Sequence, residues 1–124
     1  MSTITVTNIK ATGETASRSA TSVAAAWCNF NGIGTIAIRD SINIASLTDR
    51  GIGLYTLNYT SNMANSSYSS TGNATHDGTD NTQRNRMATS TALAPSNCPF
   101  NTFDTAGVAD DVNLICNVTH GDLA

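Results

Sequence analysis

An all-β fold, a small β-sandwich or open barrel with an extended N-terminal arm, is what this 124-residue sequence predicts. Thr, Ser and Asn fill 46 of the positions, against one Lys (Lys10) and one Glu (Glu14), so the residues that normally coat helices are nearly missing. Apolar residues recur at alternate positions in several short runs, the period of a pleated strand. Between those runs stand Asn, Asp, Ser and Gly, the residues of turns. The length suits one core, and six to eight short strands at this spacing suit a sandwich or open barrel.

The chain divides into an arm, residues 1–26, and a domain, residues 27–124. Residues 3–9 alternate apolar and polar and read as a strand. From Lys10 to Ala26 the only large aliphatic residue is Val23, too little apolar surface to order the segment by itself. It reads as a flexible tether or as an arm held by a neighbouring subunit. Ala24, Ala25 and Ala26 would make at most one helical turn capped by Ser22.

Trp27 and Phe30 open the domain, and Asn31-Gly32 with Gly34 makes a turn. Ile36 and Ile38, then Ile42 and Ile44, predict two short strands or one bent near Asp40 and Ser41. The clearest hairpin runs 42–48, turn 49–53, 54–60, with Tyr55, Leu57 and Tyr59 on one face. Gly32, Gly34, Gly51 and Gly53 allow positive φ or close backbone approach, and Asp49 is placed to cap its own turn. Tyr68 anchors a strand to about Ala74, residues 76–86 form a polar loop, and Met87 to Leu93 alternates weakly. Pro95 and Pro99 bracket a turn around Cys98. In 112–118, Val112, Leu114, Cys116 and Val118 share one face, broken only by Ile115. The predicted core is Trp27, Ile36, Ile38, Ile42, Ile44, Tyr55, Leu57, Leu114 and Val118, with Trp27 its largest single burial.

Chemistry-bearing patterns are sparse. With a net charge of −3 and 12% charged residues there is no basic stripe, which argues against nucleic acid as a partner. No apolar run is long enough for a membrane span, and Met-Ser-Thr-Ile-Thr-Val lacks the basic and apolar regions of a signal peptide. The expectation is synthesis in a cytoplasm and export by assembly or lysis. Cys28, Cys98 and Cys116 form no CxxC pair and read as reduced, buried small residues. His76 and His120 lie in polar, Gly-adjacent contexts, and neither Gly-x-Ser-x-Gly nor His-Glu-x-x-His occurs. Glu14 lies in the arm, so a Glu-based acid–base pair is excluded, and an Asp site from Asp77, Asp80, Asp104 or Asp110 has no supporting pattern. The reading is a non-enzyme with no catalytic residues, no cofactor and no metal. His76, Asp77 and Asp80 cluster as oxygen-rich Ca²⁺ loops do, but without EF-hand spacing, and read as a solvated loop tip. Asp110 and Asp111 read as a strand entrance. Sequons at Asn58, Asn65, Asn73 and Asn117 are what chance supplies in such a sequence. Within the 76–86 loop, His76, Asp77, Asp80, Arg84 and Arg86 form a candidate recognition surface for a glycan or a neighbouring protein, beside the plainer reading of an exposed loop.

Residues 26–44, AWCNFNGIGTIAIRDSINI, followed by SLTDRGIGLYTLNY at 46–59, resemble a segment recurrent in tail fibre and related virion surface proteins of marine and environmental bacteriophages. Phe103, Gly107, Asp110 and the strand 112–118 resemble the closing part of the same domain. The likeness covers residues 23–70 well and 100–119 loosely. It implies a β-rich domain on the virion exterior, usually trimeric, whose partners are itself, other virion proteins and a host surface glycan or receptor. With 26 residues ahead of Trp27, a capsid decoration (cement) protein is the alternative within that class. A lectin-like carbohydrate-binding module is the alternative outside it.

Overall fold

The computed structural model describes residues 2–10, 12–13, 15–19, 23–75 and 85–124, with backbone alone at Arg18 and over 85–90. Among them there is no helix. The β-strands are β1 (Asn8–Ile9), β2 (Arg18–Ser19), β3 (Ala24–Asn31), β4 (Ala37–Ile42) and β5 (Ile44–Gly51). They continue as β6 (Leu54–Tyr59), β7 (Ser69–Thr75), β8 (Asn85–Ser90), β9 (Asn97–Phe103) and β10 (Leu114–His120). β1 and β2 pair only with each other. The rest form two antiparallel sheets, β4-β3-β10-β7 and β5-β6-β9, stacked as a small open β-sandwich. β8 passes between them, pairing β7 through Asn85 and Arg86 and β9 through residues 87–90. At the opposite side Asn43, with φ of 58°, turns the chain from β4 into β5 and so from one sheet to the other.

Aromatic bulk fills the space between the sheets. Phe30 and Tyr55 meet edge to face with ring centroids 5.2 Å apart. Tyr59 and Tyr68 do the same at 5.9 Å. Around them Ala26, Cys28, Leu57, Met63, Cys98, Phe100, Val112 and Ile115 are buried. The inner rows of the first sheet are set by the pairs Ile115↔Phe30, Asn117↔Cys28 and Thr119↔Ala26.

That register reverses part of the predicted core. Because strand side chains alternate, Phe30 and Ile115 pointing inward forces Trp27, Leu114 and Val118 outward, where they are only half-buried. Ile42, opposite Trp27, is 54% exposed, and Ile38, inward but on the edge strand, is 37% exposed. Ile36 and Ile44 pack partly buried against the core, and Tyr55 and Leu57 are fully buried. The sequence reading took the more apolar side of 112–118 as the inner one. The fold instead buries Ile115 with Asn117 and Thr119, and the two polar residues are accommodated by hydrogen bonds within the interior.

Three further expectations are corrected. Ala24 to Ala26 are not a helical turn but the start of β3, where the small Ala26 side chain faces the core. The strand expected over 3–9 is reduced to Asn8 and Ile9, residues 2–7 pairing with no strand among the described residues. Cys98 and Pro99 lie inside β9 rather than in a turn. Pro99 is tolerated because its missing N–H falls just past the last β8–β9 pair, Ser90↔Phe100, and its carbonyl still accepts from the Thr91 N–H at 3.1 Å.

The reversed register makes a stability ranking testable. Phe30→Ala should cost about 3–5 kcal/mol, as for a fully buried aromatic, and Trp27→Ala only about 1–2 kcal/mol. Urea titrations of the isolated chain measure both, and an equal or larger cost at Trp27 contradicts the assignment.

Candidate functional site

The outer face of the β4-β3-β10-β7 sheet is the candidate site. Across its four strands run Thr71, Val118, Trp27 and Ile42, aligned by the pairs Val118↔Thr71, Val118↔Trp27 and Trp27↔Ile42. The next row is Asn73, Cys116, Asn29 and Asp40. Between β7 and β10 a shallow groove of about 330 Å³ opens over Thr71, Gly72, Asn73, Cys116, Asn117 and Val118. Beneath its floor the Phe100 ring packs against the inner side of Gly72, where a Cβ would collide with the ring. The surface is therefore an apolar row flanked by amides, with the Asp40 carboxylate at one corner and the Arg39 guanidinium donating to Asn29 Oδ1 at 3.3 Å.

Several other polar groups among the described residues hold the fold. Tyr55 Oη lies 2.9 Å from Asp111 Oδ1 and 3.1 Å from the Gly32 carbonyl oxygen, and it donates its proton between them. Asp111 Oδ1 also accepts the Gly53 N–H at 2.7 Å. One carboxylate thus ties the end of β3, the β5–β6 turn and β6 together. Gly32 is needed there because a Cβ would collide with the Tyr55 hydroxyl and ring. Gly53, with φ of 65°, would bring a Cβ to 2.5 Å from the Thr102 carbonyl oxygen. Gly34 and Gly51 also take positive φ, 66° and 124°. Asp49 Oδ1 accepts the Gly51 N–H at 2.9 Å, and Asp104 Oδ1 accepts those of Ala106 and Val108 at 2.8 and 2.9 Å. Both acids therefore cap turns.

Inside the sandwich a neutral polar chain runs through the first sheet. Asn117 Nδ2 donates to Ser70 Oγ at 2.8 Å and to the Thr71 carbonyl at 3.2 Å. Thr119 Oγ1 lies 3.3 Å from both Asn117 Oδ1 and Tyr59 Oη. Ser70 Oγ lies 3.3 Å from Cys98 Sγ. Burial pushes the Cys28 thiol up from its ordinary 9.0 to about 12, with Cys116 adding repulsion. It pushes the Tyr55 and Tyr68 hydroxyls up too, helped by Asp111 at Tyr55 and by Tyr59 at Tyr68. These groups are held in their neutral forms.

Of the predicted recognition loop, His76, Asp77, Asp80 and Arg84 lie outside the described residues. Arg86 is described only in its backbone, paired with Ala74. His120 is exposed at the end of β10, beside a polar groove of about 200 Å³ lined by Asn65, Ser67, Tyr68, Gly121 and Asp122. Among the described residues no three His, Cys, Asp or Glu side chains gather to hold a metal ion. The three cysteines are free, with Cys28 and Cys98 buried and Cys116 half-buried on the outer face. Sequence reasoning missed that face altogether. Two signals pointed to it: Trp27 and Phe30 are an odd number of residues apart and so face opposite ways, and Ile115 makes β10 apolar on both sides. Compared with protein-family models, curated proteins and solved structures, the chain matches none.

The buried thiol gives the domain an alkaline limit. In the unfolded chain Cys28 ionises from about pH 9, while in the fold it stays protonated to about 12. Stability is therefore full below pH 9 and declines as the pH rises toward 12, by about 1 kcal/mol at pH 10 from this group. Cys28→Val should keep a flat stability profile to about pH 10, where the buried tyrosines take over. Thermal melts between pH 8 and 11 compare the two, and parallel profiles would contradict the assignment.

Proposed function

We propose that this chain is a non-enzymatic structural protein on the exterior of a bacteriophage particle, of the tail fibre type. It works as a homotrimer that meets other virion proteins and shows residues 76–86, the stretch from the end of β7 into β8, to a host surface glycan or receptor. The observation that carries this reading is the outward-facing apolar row of half-buried Val118 and Trp27 with exposed Ile42, on a domain whose polar groups Asp111, Tyr55 and Asn117 serve its own fold. A surface of this kind gains by burial against protein, and aromatic and aliphatic residues free of charge are what the centre of a subunit interface carries. The sandwich supports the reading because it presents turns and loops at its ends while the sheets supply rigidity. The resemblance of residues 26–59 to tail fibre domains points the same way.

The arm favours one second reading, a capsid decoration protein. Every described side chain from Ser2 to Val23 is exposed, which suits an arm that binds a particle. The two readings differ in stoichiometry, because a decoration protein covers the whole head and a fibre occupies a few positions.

Quantitative mass spectrometry of gradient-purified particles tests the proposal. The chain should band with the particles, and a version lacking residues 1–23 should band with them far less. Hundreds of copies per particle would replace the fibre by the decoration role. A chain left wholly in the soluble lysate, binding glycans as a monomer, would replace both by the lectin-like role.

A further inference from the structure

Among the described residues the N-terminal arm is exposed and the outer sheet face is only partly covered, with Ile42 exposed and Trp27 and Val118 half-buried, and we propose that the two cover each other between copies. The N-terminal arm of one protomer lies on the outer sheet face of a second, with Ile4 and Val6 against Val118, Trp27 and Ile42. This contact rests on the reading of the chain as self-assembling and names where its copies meet.

The arm carries a conflict between local preference and structure. Thr3, Ile4, Thr5, Val6 and Thr7 are five consecutive β-branched residues, the strongest strand-forming run in the chain. Yet no strand forms before Asn8, and Ile4 is 87% and Val6 50% exposed. Their own domain does not bury them, every described side chain from Ser2 to Val23 being exposed. A segment of such preference left open in one chain is completed by another.

The receiving face matches in size, polarity and charge. Same-side residues of an extended strand lie about 7 Å apart, and side chains on adjacent strands about 5 Å apart. Ile4 and Val6 therefore fit astride the Val118–Trp27–Ile42 row, which spans about 10 Å across three strands. Thr3, Thr5 and Thr7 stay on the solvent side, and β1 paired with β2 gives the arm a partner ladder of its own. The arm holds Lys10 and Arg18 against Glu14, a net +1, which leaves −4 on residues 24–124 of the chain's total of −3. Arm and domain thus attract where two domains alone would repel. On the receiving face Asp40 stands a row away from Ile42, with the Arg39 guanidinium donating to the neighbouring Asn29 Oδ1 at 3.3 Å, so the attraction comes from the domain as a whole and not from this patch.

Cross-linking between two purified variants tests the contact. Ile4→Cys and Ile42→Cys are made separately, each with Cys116→Ser so that Cys28 and Cys98, both buried, are the only other thiols. Both substitutions are at exposed positions and leave the core alone. Mixed under mild oxidation, they should give a disulfide-linked heterodimer, several-fold more than Ile4→Cys mixed with Val108→Cys, an exposed position in the β9–β10 connection. Equal yields would overturn the contact. A single chain carrying both Ile4→Cys and Ile42→Cys should give linked multimers, and an internally closed monomer would show that the arm covers its own face. A chain absent from particles that still cross-links would sink the virion reading and keep this contact. A particle component that fails to cross-link would do the reverse.

Discussion

The β3–β10 ladder decides which side of this chain becomes a core and which becomes a surface. Pairing Ile115 with Phe30 and Thr119 with Ala26 commits both strands at once, because a slip of one residue would turn every side chain over. Phe30 then meets Tyr55 across the sandwich, and Asp111, just before β10, ties Tyr55 and Gly53 to the end of β3. The inner register is held at one end by aromatic packing and at the other by a shared carboxylate. Trp27, the largest side chain in the protein, is left on the outside as the consequence.

Such an arrangement has a cost that the interior meets in a particular way. Turning Val118 out brings Asn117 and Thr119 in, and a buried amide or hydroxyl without a partner costs about 1–3 kcal/mol. Here Ser70, Thr71 and Tyr59 supply the partners, so the polar inner row is tolerated. A chain folding only for its own stability would do better with the apolar side inward. It buries the polar side instead and leaves Val118 and Trp27 half-buried and Ile42 exposed on the outer face, which is the surface we propose is kept for association.

The sequence disclosed the fold class and the places of several strands, because alternation, turn residues and scarcity of helix formers are local signals. The β5–β6 hairpin was legible for that reason, with Tyr55, Leu57 and Tyr59 inward and Asp49 capping its turn. The face of β10 was not, since apolar residues occupy both sides and the choice depends on a partner strand ninety residues away in sequence, roughly the longest loop this chain can close. Pro99 was misread for a similar reason: whether a proline breaks a strand depends on where the neighbouring strand ends. The recognition loop, with His76, Asp77, Asp80 and Arg84, lies outside the described residues. The outer apolar row could be seen only once three strands were in register.

The central claim is that the outer face carrying Trp27 is covered when copies of the chain assemble. Trp27 is the single tryptophan, so its fluorescence reports that face without interference. Acrylamide quenching measured over a dilution series, with the oligomeric state followed by light scattering, is the direct measurement. The account predicts that Trp27 is readily quenched in the dilute monomer and becomes shielded, with emission shifted to the blue, in step with association. Assembly that proceeds while the quenching and emission of Trp27 stay those of the monomer would contradict it.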